Sequence, residues 1–184
     1  MTNSFGEFAD AKLFLCIGTN MTEAHPVAST FLKNALRKGA KLIVVDPRRQ
    51  PLAKLADIYC QIKVGSDIAF LNGLMNVIIN EGLYDKDFVE NRCDNFEAFK
   101  AKIMEYPPER AAEISGVDVE TIRKVAHMLA TVKPAMLCYT LGITEHTTGK
   151  DNVMSTANLQ LLLGNLGMPS AGVNPLRGQN NVQG

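Results

Sequence analysis

The residues of this chain best suited to hold a ligand fall in four short polar stretches: Gly18–His25, Asp46–Arg49, Gly65–Asp67 and Gly142–Gly149. Each joins polar groups to backbone that can approach a ligand closely, three of them through glycine. Glu23 would repel phosphate, so it suits donors such as a ribose hydroxyl or a ring N–H; otherwise it and Thr22 cap the following helix. Asp46 is followed by Pro47, Arg48 and Arg49. An acidic residue closing a strand takes a ribose hydroxyl in nucleotide-binding sheets, and the two arginines either grip phosphate or a carboxylate or stay solvated. Asp67 either accepts from a base amine or caps a helix.

His25 and His146 sit in the stretches and are candidates for ligand contact or for supporting hydrogen bonds, whereas His127 lies on the polar face of a predicted helix. No histidine pair has metal-ligand spacing, and no G-x-S-x-G nucleophile motif occurs. The four cysteines are dispersed, with no C-x-x-C pair, so neither an iron–sulfur cluster nor a structural zinc is expected within the chain. Cys16, Cys60 and Cys138 lie in apolar runs and read as small buried hydrophobes in a reducing compartment. The first stretch is not G-x-G-x-x-G, which disfavours a standard NAD site. A helix N-terminus still offers N–H groups to phosphate.

The elements that position these stretches are legible from apolar patterning. Lys12–Ile17, Lys41–Asp46, Ile58–Ile62 and Pro134–Thr140 are short apolar runs that predict buried parallel strands. Helices are predicted from Pro26 to Lys38, from Ile68 to Asn80 with Ser66 or Asp67 as cap, and from Asn152 to Leu166. Residues 84–133 read as a helical excursion, and residues 168–184, rich in Gly, Pro and Asn, read as a C-terminal loop. The expectation is a single α/β domain over 1–184, a doubly wound and mainly parallel sheet of Rossmann type. Ligands of such sheets bind beyond the C-terminal strand ends, where the four polar stretches fall.

Composition sets the outer bounds. With 184 residues, 46% hydrophobic and 21% charged, the chain can bury a real core. Lys plus Arg and Asp plus Glu each number 19, so no basic field favours nucleic acid. The first residues have neither a basic n-region nor an apolar h-region, so no export signal is expected, and no apolar run approaches the roughly 18 residues of a membrane span. A soluble, cytoplasmic chain is expected.

The tail is the most specific segment. Gly164-Asn-Leu-Gly-Met-Pro-Ser-Ala-Gly-Val-Asn-Pro-Leu-Arg-Gly-Gln-Asn-Asn-Val-Gln-Gly184, with Gly18-Thr-Asn-Met-Thr-Glu-Ala-His-Pro26, Val45-Asp-Pro-Arg48 and Val64-Gly-Ser-Asp67, closely resembles the molybdopterin oxidoreductase family. The match is to its molybdenum- or tungsten-dependent formate dehydrogenase subgroup. The resemblance implies a domain that cradles one half of a bis(molybdopterin guanine dinucleotide) cofactor. Gly18, Asn20, Glu23, Asp46, Pro47, Arg48, Gly65 and Asp67 would serve its guanosine and phosphate end, with Gly142 and Glu145 along the same dinucleotide. Glu145 departs from the family, where this position is commonly Gln. Arg177 would orient formate beside the metal, and Gln179 and Asn180 would lie close to the pterin.

The resemblance further implies a fragment, inactive alone, of a catalytic subunit that oxidises formate to carbon dioxide. The family's [4Fe–4S] cysteine motif and its metal-ligating selenocysteine or cysteine are not in this sequence. Its partners would be the remaining domains of that subunit and electron-transfer subunits. The alternative expectation is a stand-alone nucleotide-binding or assembly module without catalysis.

Overall fold

In the computed structural model, which describes residues 1–178, the chain folds as a doubly wound α/β domain. The elements run β1 (Leu13–Ile17), α1 (Met21–Ala24), α2 (Pro26–Arg37), β2 (Lys41–Val45), β3 (Ile58–Cys60) and α3 (Asp67–Asn80). There follow α4 (Lys86–Arg92), α5 (Phe96–Ile103), α6 (Pro108–Ser115), α7 (Val119–Thr131), β4 (Ala135–Tyr139), α8 (Leu141–Thr144), α9 (Gly149–Leu162) and β5 (Gly172–Pro175). Short 3₁₀ turns at Phe5–Asp10 and Pro51–Leu55 complete the described residues. All five strands are parallel, in the order β3-β2-β1-β4-β5. Ile17 stands opposite both Val45 and Tyr139, so β1, β2 and β4 end level and form one straight edge.

The central strands are buried on both faces, as continuous apolar runs require. Leu13, Leu15 and Ile17 point into the larger core, with α3, α7 and α9. Phe14 and Cys16 point into the smaller one, with α2 and the 3₁₀ turns. Asp67–Asn80 is apolar nearly all round, and α3 is accordingly enclosed, with the sheet on one side and the 84–133 helices on the other. The side-chain N–H of Asn76 on α3 donates to the Ile103 carbonyl at 3.1 Å and so ties α5 to it.

The structure corrects the expected C-terminal loop. Gly172–Pro175 is a fifth strand, pairing with β4 from Met136 to Tyr139. Its Gly, Asn and Pro content hides it from pattern reading, and an edge position tolerates these residues: Pro175 ends the strand, where a missing N–H costs least. The chain's beginning covers the outer edge, with the Thr2 N–H donating to the Val173 carbonyl and the Val173 N–H to the Thr2 hydroxyl. Glu7 accepts from Asn3 and from the Ser170 N–H just before β5, contacts that hold its carboxyl down at about 2. The helix expected over Asn152–Leu166 runs instead from Gly149 to Leu162 and stops before Gly164, whose φ of +66° a helix cannot continue.

Helices α3 and α6 pack closely at Gly73. A Cβ on Gly73 would lie 2.4 Å from the Ala111 Cβ, so α3 and α6 meet where one side chain is missing. Overpacking costs about 1–3 kcal/mol, more than the few tenths by which valine exceeds glycine in helix propensity. Gly73→Val is expected to lower unfolding stability by about 2 kcal/mol in urea titration; an unchanged midpoint would show that α6 moves aside freely.

Candidate functional site

The level ends of β1, β2 and β4 and the turn after β3 surround a cleft of about 390 Å³. Its wall includes Gly18, Asn20, Asp46, Arg48, Gly65, Asp67 and Gly142, so all four polar stretches meet there. The cleft lies where the chain, having wound outward from β1 through β2 to β3, returns on the other side of β1 as β4. This is the switch point at which doubly wound sheets bind ligands.

Its floor is a backbone contact. Gly18 has φ +56°, and a Cβ there would lie 2.7 Å from the Gly142 carbonyl carbon; a Cβ on Gly142 would lie 2.6 Å from the Gly18 Cα. The Gly142 N–H donates to the Gly18 carbonyl at 3.1 Å, and the Thr140 hydroxyl to the same oxygen at 2.7 Å. The Gly18 N–H donates to the Val45 carbonyl at 3.0 Å, which joins the second strand end. Buried Gln50 secures the first turn through the Thr19 carbonyl, and buried Asn152 secures the fourth through the Ile143 carbonyl. Gln50, Thr140 and Asn152 escape sequence reasoning, because hydrogen bonds to distant carbonyls leave no local pattern.

Two buried carboxylates face this floor. Asp46, 5% exposed, accepts from the Arg48 N–H at 2.8 Å; burial pushes its carboxyl above the ordinary range, against the Arg48 N–H and guanidinium. Asp67, 4% exposed, begins α3, and burial raises its carboxyl too, with Asp46 adding to the rise and His146 opposing it. The cap position of α3 belongs to Ser66, whose hydroxyl turns back to the Lys63 carbonyl. His146 donates from Nε2 to the Gly142 carbonyl at 2.8 Å, and the same nitrogen lies 3.9 Å from the Asp67 carboxylate. Gly65, with φ +79° and nothing within 4 Å of a built Cβ, leaves open space beside Asp67.

Other candidates are arranged less directly. Asn20 lines the cleft, and its amide donates to Glu23 at 2.7 Å. Glu23 and Glu145 are exposed and stand outside the cleft wall. Thr22 and Glu23 belong to the single turn α1, so the cap position of α2 falls instead to His25, with Pro26 next. Pro47 lines the cleft beside Asp46. Arg177 borders an adjoining hollow of about 170 Å³ with Tyr139, Thr140 and Leu141. Gln179 and Asn180 lie outside the described residues. His127 pairs on the surface with Glu81 at 2.7 Å, away from the cleft. Among the described residues no group of three or more His, Cys, Asp or Glu could hold a metal, and no helix is long and apolar enough to cross a membrane.

Chemically, the cleft offers carboxylate acceptors, backbone amides and one exposed arginine. That set matches a ligand with N–H or hydroxyl donors at one end and phosphate at the other.

Comparison with known proteins gives a consistent result. The chain matches the Molybdopterin oxidoreductase family over residues 1–184. It is 46% identical over 184 residues to the F420-dependent formate dehydrogenase 1 subunit alpha of Methanococcus maripaludis, covering all of this chain and 27% of that protein. It is 44% identical over 184 residues to formate dehydrogenase H of Escherichia coli, covering all of this chain and 26% of that protein. A solved structure of acetylene hydratase from Pelobacter acetylenicus superposes with a TM-score of 0.82 and 42% identity, over 86% of this chain and 22% of that one. The chain therefore spans about a quarter of the length of the curated relatives it matches.

Burial of Asp67 has a measurable consequence. Its folded carboxyl holds a proton more readily than the unfolded one, whose ordinary value is about 4. The folded chain thus binds the extra proton above that value, and stability falls as pH rises through the window between the two. Asp67→Asn is expected to be at least as stable as the parent chain at neutral pH and to lose part of this fall, read from Tm against pH. A variant clearly less stable at neutral pH would show that the carboxylate's contacts outweigh its burial.

Proposed function

We propose, because the chain belongs to the molybdopterin oxidoreductase family, that it is the part of a formate dehydrogenase catalytic subunit that holds the guanosine and phosphate end of one molybdopterin guanine dinucleotide. The observation that carries this reading is the pair of buried carboxylates, Asp46 and Asp67, facing a cleft floored by bare glycine backbone. Buried acceptors at this cost in burial suit a ligand rich in donors, such as the amine and ring N–H of guanine and the hydroxyls of ribose. The dinucleotide's diphosphate would lie against the backbone amides of the first turn and the Arg48 side chain, with Gly142 and Glu145 further along.

In the complete enzyme the molybdenum or tungsten cofactor supplies the acceptor for the two electrons of formate oxidation. The chain's own contribution at the substrate end is Arg177. A guanidinium binds a carboxylate through two parallel N–H donors, which fixes formate in one orientation with its C–H turned away from the cation. Gln179 and Asn180 would contact the pterin. Cytoplasmic placement, electron-transfer subunits, a [4Fe–4S] cluster and the remaining domains of the subunit belong to the same proposal. It is supported by identities of 44–46% to formate dehydrogenases.

Acetylene hydratase, at 41% identity over 182 residues, marks the competing chemistry within the family. A nucleotide-binding module without catalysis is a further reading, which needs the cleft but not Arg177. One variant separates these. In the full-length subunit, Arg177→Ala is expected to lower kcat/KM for formate on the order of a hundredfold, the loss of a charge-assisted bidentate contact, while molybdopterin content stays near that of the parent. Undiminished formate turnover, or turnover of acetylene in place of formate, would overturn the formate assignment.

A further inference from the structure

Arg177 is tied to the first strand-end turn by a hydrogen bond. The His25 Nε2 lies 2.7 Å from the Arg177 carbonyl oxygen, a contact across 152 residues. A carbonyl only accepts, so the ring nitrogen facing it carries the hydrogen, which in the neutral ring leaves Nδ1 as an acceptor. That Nδ1 is buried and has no hydrogen-bond partner among the described residues. A histidine kept only to stabilise the fold gains little from this arrangement, because a buried acceptor left unpaired costs about 1–3 kcal/mol.

Both ends of the contact are held rigidly. On one side the His25 N–H donates to the Met21 carbonyl at 3.0 Å, and its own carbonyl accepts from Ser29 at 2.9 Å. Pro26 follows at the first position of α2, and Met21 is fully buried. On the other side Pro175 ends β5, the buried Leu176 donates its N–H to the Tyr139 carbonyl at 2.9 Å, and the carbonyl of the following residue, Arg177, is the one that His25 takes. Three consecutive residues are thus fixed before the guanidinium leaves the backbone.

We infer that His25 is a positioning residue for substrate: through the Arg177 carbonyl it makes the turn that lines the nucleotide cleft place the arginine that receives the substrate carboxylate. The inference rests on the proposed function and adds to it a physical link between the cofactor end and the substrate end of the site. A rigid strut of this kind matters because a misplacement of about 1 Å can cost on the order of a hundredfold in rate.

The test uses the full-length enzyme. His25→Leu is expected to raise KM for formate on the order of tenfold to a hundredfold, with molybdopterin content and Tm close to the parent's. His25→Gln, which keeps an N–H able to reach the carbonyl, is expected to recover most of that loss. A His25→Leu enzyme with unchanged KM overturns the inference, as does a loss of cofactor and turnover together that Gln fails to restore. Failure of the underlying reading is distinguishable: normal formate turnover by Arg177→Ala removes the function itself. A crippled Arg177→Ala beside an unimpaired His25→Leu removes only the role of His25. Should His25→Leu not fold, nitrogen NMR of the wild-type chain decides. The His25 ring must carry a proton on Nε2 and exchange it slowly, and a ring protonated on Nδ1 alone contradicts the assignment.

Discussion

Gly18 and Gly142 touch backbone to backbone where the strand order reverses, and the remaining geometry of the cleft follows from that contact. It brings the turn after β1 against the turn after β4, closer than any side chain permits. The Gly18 carbonyl is taken by the Gly142 N–H and the Thr140 hydroxyl, while the Gly18 N–H goes to Val45 at the end of β2. Three strand ends are therefore joined through one residue. His146, bonded to the Gly142 carbonyl and beside Asp67, carries the connection on to the turn before α3. A ligand in this cleft meets a single surface built from four distant parts of the sequence.

That surface carries a thermodynamic cost that its floor does not relieve. Asp46 and Asp67 are almost wholly buried, and burial raises both carboxyls. Buried carboxyl groups of this kind cost the folded chain stability unless a donor reaches them. The apolar construction around them is otherwise complete: the β1, β2 and β4 strands are enclosed on both faces, and α3 is enclosed on all sides. The helices of 84–133 contribute through α3, by fixing the helix whose first residue is Asp67.

Much of this was legible in the sequence, for identifiable reasons. Continuous apolar runs such as Leu13–Ile17 predict buried parallel strands, and in a doubly wound sheet the residues just past them must gather at one edge. That logic alone brings Gly18, Asp46, Gly65, Asp67 and Gly142 together. The fifth strand was not legible, because Gly172, Asn174 and Pro175 have loop character and pair only under the protection of an edge and the chain's beginning. The cap of α2 was misplaced for a related reason: α1 is one turn long, and its presence moves that cap from Thr22 or Glu23 to His25. The bond from His25 to Arg177 spans 152 residues and has no local signature. Family membership was legible in the tail and the turns together, and the match over residues 1–184 bears it out.

The central claim is that the switch-point cleft receives the guanosine end of a dinucleotide. Backbone amide shifts of the chain, followed by NMR while GDP is added, test it most directly. The account predicts the largest changes at Gly18, Asn20, Asp46, Gly65, Asp67 and Gly142, with much weaker changes for ADP at equal concentration. Equal responses to both nucleotides, or GDP-induced changes confined to residues outside these turns, would contradict it.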